Sequence, residues 1–175
     1  MIVSQILRDK GSAVLTVPPD ASTVAAARVM NERRVGALVV RRGAGKVEGI
    51  VSERDIVIAL AEQGPEASER PVETLMTPAD RLITCTPADT IDKVMAVMTD
   101  RRVRHLPVFE GGRLVGIVSI GDVVKARLRE TLAEVEAMTA YVRGGRGRGV
   151  PRNAPSLLPP NIRWRRAKRA FARNK

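Results

Sequence analysis

The chain writes one pattern twice. The stretch MNERRVGALVVRRGAGKVEGIVSERDIVIAL, starting at Met30, returns as MTDRRVRHLPVFEGGRLVGIVSIGDVVKARL, starting at Met98. The copies run 68 residues apart up to a glycine-bearing turn and 67 apart after it, because the first copy has one extra residue in RRGAGK. Upstream, Thr16-Val17-Pro18-Pro19 answers Thr84-Cys85-Thr86-Pro87 at the same offset, and Gly-Ile-Val-Ser recurs unchanged at 49–52 and 116–119. Short apolar runs resemble one another by chance, but turns, prolines and acids do not stay aligned over some fifty residues by chance. A duplicated unit of this size is a structural repeat whose copies bury their faces against each other.

Each copy reads as strand, helix, strand, strand, helix. A short extended piece (Val14 to Val17; Leu82 to Thr86) ends at a proline, which disfavours helix just before it. An amphipathic helix follows, with Ala26, Val29 and Met30 at helical spacing in copy one and Ile91, Val94, Met95 and Met98 in copy two. Two apolar runs joined by a glycine turn then predict a hairpin: Ala37–Val40 with Lys46–Val51, and Leu106–Phe109 with Leu114–Val118. Ser52 and Ser119 sit where N-caps belong, ahead of Asp55-Ile56-Val57 and Asp122-Val123-Val124. The fold class expected is α/β (α+β), two three-stranded repeats packed as a pseudo-twofold pair.

Composition narrows the class. At 175 residues the chain suits one compact domain or two small halves sharing a core. Aromatics are only 2%, so that core must be aliphatic. A single cysteine, Cys85, rules out an intramolecular disulfide and a Cys-based metal cluster, and fits a reducing cytoplasm. The N-terminus lacks a basic segment followed by an apolar stretch, and no apolar run approaches the ~18 residues of a membrane helix. A soluble, cytoplasmic protein is the expectation.

Charge is divided sharply. Residues 1–142 hold 19 Lys/Arg against 19 Asp/Glu, whereas residues 143–175 hold 11 Lys/Arg and no acid. The net charge of +11 therefore belongs to the last 33 residues, whose Gly- and Pro-rich start argues against a packed fold. The boundaries expected are a first repeat with an N-terminal linker helix over 1–72, a second over 73–130, the end of a long helix over 131–142, and a basic tail over 143–175.

The motif Gly-h-h-Ser-x-x-Asp (h apolar) stands in both copies, as GIVSERD at 49–55 and GIVSIGD at 116–122. A Ser at a helix start, beside free backbone N–H groups, is a place for phosphate to dock. An Asp three residues on, one turn along the same face, can accept hydrogen bonds from two adjacent ribose hydroxyls. Arg54 adds a planar donor fork suited to phosphate. Against this stands plain capping: Ser52 and Ser119 closing helix ends, with Asp55 and Asp122 favouring the helix dipole. Copy two replaces Glu53-Arg54 by Ile120-Gly121 and so lacks that cation.

The order of elements and these motifs, over roughly residues 1–130, resemble the CBS (cystathionine-beta-synthase-type) domain family. MIVSQILRDKG and PVETLMTP look like the short linker helices that precede CBS repeats, and Ser-Glu-Arg-Asp-Ile-Val is similar to small stand-alone bacterial CBS-pair proteins. The resemblance implies a non-catalytic regulatory module with two clefts for an adenine nucleotide. Asp55 and Asp122 would meet ribose, and Ser52, Ser119 and Arg54 phosphate. The backbone around Val17 and Thr86, with Arg104-His105-Leu106-Pro107, would line the adenine clefts. AMP, ADP, ATP, NAD and S-adenosylmethionine all present adenosine, and these residues do not choose among them. No catalytic cofactor or metal is expected.

The remaining candidates have bland readings. His105, the single histidine, has no partner nucleophile or base suggested, so cleft lining or packing is the reading rather than catalysis. Cys85 lies in an apolar stretch, where an inert buried thiol is the default. Arg101, Arg102 and Arg104 suit a solvated loop, although the pair recurs at Arg33-Arg34. Gly43-Ala44-Gly45 lacks the Gly-Lys-Ser/Thr ending of a phosphate loop and reads as a hairpin turn. An enzyme of IMP-dehydrogenase type finds no room for a catalytic barrel beside two repeats.

Assembly is legible as well. Val124, Leu128, Leu132, Val135 and Met138 follow at spacings of three and four along a helix predicted from Asp122 to Val142. Flat homodimers are common in the resembling family, so a homodimer is expected, against a monomer whose stripe covers its own sheet. In the tail, Trp164 and Phe171 lie seven apart among Arg163, Arg165, Arg166, Lys168 and Arg169. A basic helix there would hold nucleic-acid phosphates, with the CBS pair as a dimerising scaffold, or lie on an anionic membrane. The plain alternative is a solvated extension.

Overall fold

A computed structural model of the protein describes residues 1–144. Its first half runs through helix α1 (Val3–Lys10), strand β1 (Thr16–Val17), α2 (Thr23–Arg33), β2 (Ala37–Val40), β3 (Gly49–Ser52) and α3 (Glu53–Gln63). Short 3-10 turns at Gly64–Glu69 and Val72–Thr74 lead to β4 (Thr77–Pro78) and a further turn at Ala79–Arg81. The second half holds α4 (Ile91–Asp100), β5 (His105–Glu110), β6 (Arg113–Ser119) and α5 (Ile120–Gly144). The architecture is mixed α and β, with the predicted helices and hairpins in the predicted order. Met1–Ala137 form one compact unit, and the residues from Met138 belong to a second.

The first repeat makes a four-stranded sheet in the order β1-β2-β3-β4. β1 runs parallel to β2, and β2 and β3 form the hairpin, Ala37 opposite Ser52 and Val40 opposite Gly49. All four residues of β2 are buried, as in a strand covered on both faces. The fourth strand comes from the linker and pairs antiparallel with β3, Gly49 opposite Pro78. A Cβ on Gly49 would stand 2.5 Å from the Thr77 carbonyl oxygen, so only glycine admits this strand. The second repeat keeps only the β5–β6 hairpin as a sheet.

Two aliphatic cores result, and each takes a contribution from the linker preceding the other repeat. Val3 and Ile6 of α1 are buried with Ile91, Val94, Leu106 and Val118 of the second repeat. Val72, from the linker between the copies, is buried with Val17, Met30, Leu38 and Val51 of the first. The docking uses matching backbone bonds. Val3 N–H donates to Asp89 O and Ser4 N–H to Pro87 O, both at 2.9 Å. Val72 N–H donates to Ala21 O at 2.9 Å and Glu73 N–H to Pro19 O at 3.0 Å. Asp89 and Ala21, and likewise Pro87 and Pro19, are 68 residues apart, so the two linkers occupy equivalent places on exchanged repeats.

Three expectations are corrected. PVETLMTP forms a 3-10 turn and strand β4 rather than a linker helix, because Pro71 and Pro78 bracket a segment too short for a full α-helix. Leu82–Thr86 is not a strand: Cys85 makes a single parallel bridge to Val108, and Thr86 instead directs its N–H and hydroxyl to Asp89 at 2.7 and 3.1 Å. The three-stranded repeats therefore appear as one sheet of four strands and one of two. The alternative to the expected homodimer, a monomer whose α5 stripe covers its own sheet, does not fit, since Val124, Leu128 and Leu132 are 52%, 59% and 53% exposed.

Candidate functional site

The two Ser-x-x-Asp motifs stand at the starts of α3 and α5, where β3 and β6 end. Asp55 Oδ2 accepts from Ser52 N–H and Ser52 Oγ–H, both at 2.7 Å. Asp122 Oδ2 accepts from Ser119 N–H and Oγ–H, both at 2.8 Å. Each serine thus caps its helix and each aspartate closes a capping box, as the capping reading requires. Capping engages one carboxylate oxygen only. Oδ1 of Asp55 makes no hydrogen bond among the described residues, so an acceptor remains at the helix start.

A cleft of about 590 Å³ opens there. It brings Ser52, Arg54 and Asp55 of the first repeat against Arg102, Arg104 and His105 of the second. Arg54 reaches across it, Nη1 donating to the Arg102 carbonyl at 3.3 Å. Three guanidinium groups therefore share the cleft with two carboxylates, Glu53 and Asp55. Gly36 forms part of the wall, and a Cβ there would lie 3.1 Å from His105 Cε1. The absence of that side chain lets the imidazole sit across the repeat boundary. Burial holds His105 below the ordinary histidine pKa, opposed by the negative charges of Glu53 and Asp122.

The second motif has different surroundings. Lys10 Nζ, from the end of α1, donates to Asp122 Oδ2 at 2.6 Å. Burial raises the Asp122 pKa, but the bonds from Lys10 and Ser119 outweigh it and hold the carboxyl below its usual range. Two further ion pairs tie the same segment to α5: Met1 N-terminus to Glu130 at 2.7 Å and Arg129 to Asp9 at 2.8 Å.

Of the residues singled out in the sequence, this first cleft gathers Ser52, Arg54, Asp55, Arg104 and His105. Ser119 and Asp122 stand at the start of α5, outside its lining, and Val17 and Pro107 are buried within strands. Thr86 is committed to Asp89. Cys85 is buried, and burial pushes its thiol up to about 12, a value that leaves it inert. The tail candidates Arg163, Trp164, Arg165, Arg166, Lys168 and Arg169 lie outside the described residues. No group of three His, Cys, Asp or Glu suited to a metal ion occurs among the described residues. Gly36, Glu53, Thr77 and Arg102 join the cleft and Lys10 joins Asp122 without having been singled out as ligand groups. The Arg pair repeated at 33–34 and 101–102 was the signal for Arg102. For Lys10, 112 residues from Asp122, there was none.

Comparison with known proteins shows the family. The CBS domain family matches residues 3–62 and 72–129. The chain belongs to the CBS domain family. A mitochondrial CBS domain-containing protein of Arabidopsis thaliana, CBSX3, is 35% identical over 149 residues, 82% of this chain and 72% of that one. The CBS-domain protein ATU1752 of Agrobacterium tumefaciens superposes with a TM-score of 0.70 at 45% identity, over 73% of this chain and 99% of its own. Two further CBS structures carry ligands. PAE2072 of Pyrobaculum aerophilum is complexed with AMP (TM-score 0.59, 26% identity, 70% of this chain and 89% of that one). The CBS pair of MJ0100 is complexed with 5'-methylthioadenosine and S-adenosylmethionine (TM-score 0.64, 25% identity, 74% and 98%).

Proposed function

We propose that this CBS pair is a non-catalytic regulatory module that binds an adenosine-containing ligand at its Ser-x-x-Asp clefts. One observation carries the reading: Asp55, fixed by Ser52 through one oxygen, lines a single cleft with Arg54 beside it and Arg102 and Arg104 from the other repeat. A carboxylate beside guanidinium groups suits a ligand with vicinal hydroxyls at one end and an anionic group at the other. The ligands bound by PAE2072 and MJ0100 share adenosine, which supports the ribose assignment to Asp55 and, at the second motif, to Asp122. The arginines favour AMP, ATP or NAD over the uncharged methylthioadenosine.

The ligand acts as a signal only by binding one pose of the module better than another. Exposed apolar faces supply the means of assembly: Val57 and Ile58 on α3, and Val124, Leu128 and Leu132 on α5. Val57 and Val124 are equivalent positions, 67 residues apart, so both repeats present such a face. A homodimer would bury them, because exposed apolar surface of this kind marks interaction sites. The cytoplasm, where adenine nucleotides are plentiful, is the compartment this role suits. No helix among the described residues is long and apolar enough to cross a membrane.

Isothermal titration with AMP, ATP, NAD and S-adenosylmethionine, with GTP and CTP as controls, tests the proposal. Saturable binding of at least one adenosine ligand, and not of the controls, is expected. Equal binding of GTP or CTP, or no binding of any ligand to folded protein, would contradict it.

A further inference from the structure

The opposite end of the strands, where the two hairpins turn, holds a second cleft of about 740 Å³. That volume falls within the range of small-molecule sites. The hairpins line it in matched pairs: Arg41 with Phe109, 68 positions apart, and Lys46 with Arg113 and Val47 with Leu114, each 67 apart. The cleft therefore straddles the pseudo-twofold relation between the repeats. It is separate from the helix starts, since no lining residue is shared with the Asp55 cleft.

Its chemistry is cationic and partly apolar. Arg41, Lys46 and Arg113 line it and no acid does. Of the neighbouring acids, Asp20 and Glu48 lie 3.6 and 4.0 Å from Arg42, which is not in the lining, and Glu110 stands opposite Arg113 in the β5–β6 register without entering the lining. Arg41 Nε is buried and finds no acceptor among the described residues. The partly buried Arg41 side chain makes no hydrogen bond or ion pair among the described residues, so its terminal guanidinium nitrogens keep their donors for an anion in the cleft. Phe109, half-exposed, supplies a flat apolar face beside the cations, with Leu114 and Leu82 around it.

From this arrangement we infer that the hairpin cleft is a second ligand site, for a small phosphate monoester bearing a flat apolar group. Three cations without an acid suit a dianion better than a monoanion. Arg41 and Arg113 supply fork-shaped donors from the two repeats, Lys46 a point charge, and Phe109 the stacking face. A ligand held by both hairpins binds the repeats to each other at the end remote from the Asp55 cleft.

The test is a residue-resolved NMR titration of the full chain with phenyl phosphate, inorganic phosphate and phenol. Phenyl phosphate should produce saturable amide shifts at Ala44–Val47 and Gly112–Leu114, with inorganic phosphate several-fold weaker and phenol without effect. The R41M/R113M double variant should lose at least tenfold in affinity, while D55N/D122N should keep wild-type affinity at these amides. R113M alone changes an exposed residue and should still lose several-fold, which covers the case in which R41M disturbs the hairpin. Shifts confined to residues 52–55 and 102–105, unchanged affinity in R113M, or phenol binding as well as phenyl phosphate would each overturn the inference.

Discussion

The two copies of one motif have kept the same scaffold and taken different cations. In both, a serine caps the helix and an aspartate closes the box with bonds of 2.7 to 2.8 Å. In the first, positive charge comes from the motif itself through Arg54 and from the opposite repeat through Arg102 and Arg104. In the second, Ile120-Gly121 provides none, and the charge comes from Lys10, at 2.6 Å from Asp122. The lesson is that capping constrains both copies, because a helix start needs its N–H groups satisfied. The cation is free to diverge. At the first motif three guanidinium groups line the cleft beside Asp55, whereas at the second the lysine is already bound to its own aspartate.

The largest expected effect separates the two aspartates. Asp55→Ala should lower adenosine-ligand affinity by roughly ten- to a hundredfold, the worth of a hydrogen bond to a charged group. Asp122→Ala should cost the first cleft less than threefold. Titration of each single variant checks this, and equal losses from both would erase the asymmetry drawn here.

Exchanging the cations should come next in size. Arg54→Gly makes the first copy like the second and should weaken AMP by about tenfold while leaving adenosine nearly unchanged, since only phosphate meets the guanidinium. Gly121→Arg is the reverse change. A Cβ there meets only Ser119 Oγ at 3.7 Å, so the side chain is accommodated. This variant should tighten AMP at the second motif, read as a stronger second binding step by titration.

A smaller effect concerns Lys10. Because the Lys10 and Ser119 bonds hold the Asp122 pKa below its unfolded value, that carboxylate stabilises the fold above pH ~4 and the contribution disappears as pH falls through the folded pKa. Lys10→Met should remove part of it, costing about 1 kcal/mol or less at neutral pH, with the difference from wild type shrinking in acid. Thermal melts of the two proteins from pH 7 to pH 3 measure this.

The smallest effect belongs to His105. Its pKa is lowered by burial, so on acidification the unfolded chain takes up the proton first. Stability should therefore fall as pH drops below about 6.5, until the folded imidazole also protonates. His105→Gln should flatten that part of the profile, and melts between pH 7.5 and pH 5 would show it.

Much of this was readable in the chain because duplication supplies an internal control. The hairpins, the capping serines and the aspartates each occur twice at one offset, so a misreading in one copy is corrected by the other. The aliphatic periodicity of Ile91, Val94 and Met98 placed α4 directly. Legibility failed where the outcome depended on residues far apart. Nothing local in Thr77-Pro78 announces a strand, because that strand exists only by pairing with β3 across the first repeat. Leu82–Thr86 looked extended, and is, but finds only one bridge because Thr86 turns to Asp89. Lys10 resembles any exposed lysine at a helix end until the exchanged docking of α1 carries it to Asp122. Local chemistry thus fixed the capping half of each site, and the crossing of the linkers fixed the rest.

The proposed adenosine site rests on the two capped aspartates. Calorimetric titration of the Asp55→Ala, Asp122→Ala double variant, beside wild type, tests it most directly with whichever of AMP, ATP, NAD or S-adenosylmethionine binds tightest. Wild type should bind saturably, and the folded double variant should not. Undiminished binding in that variant would contradict it, and would move the adenosine site away from the helix starts.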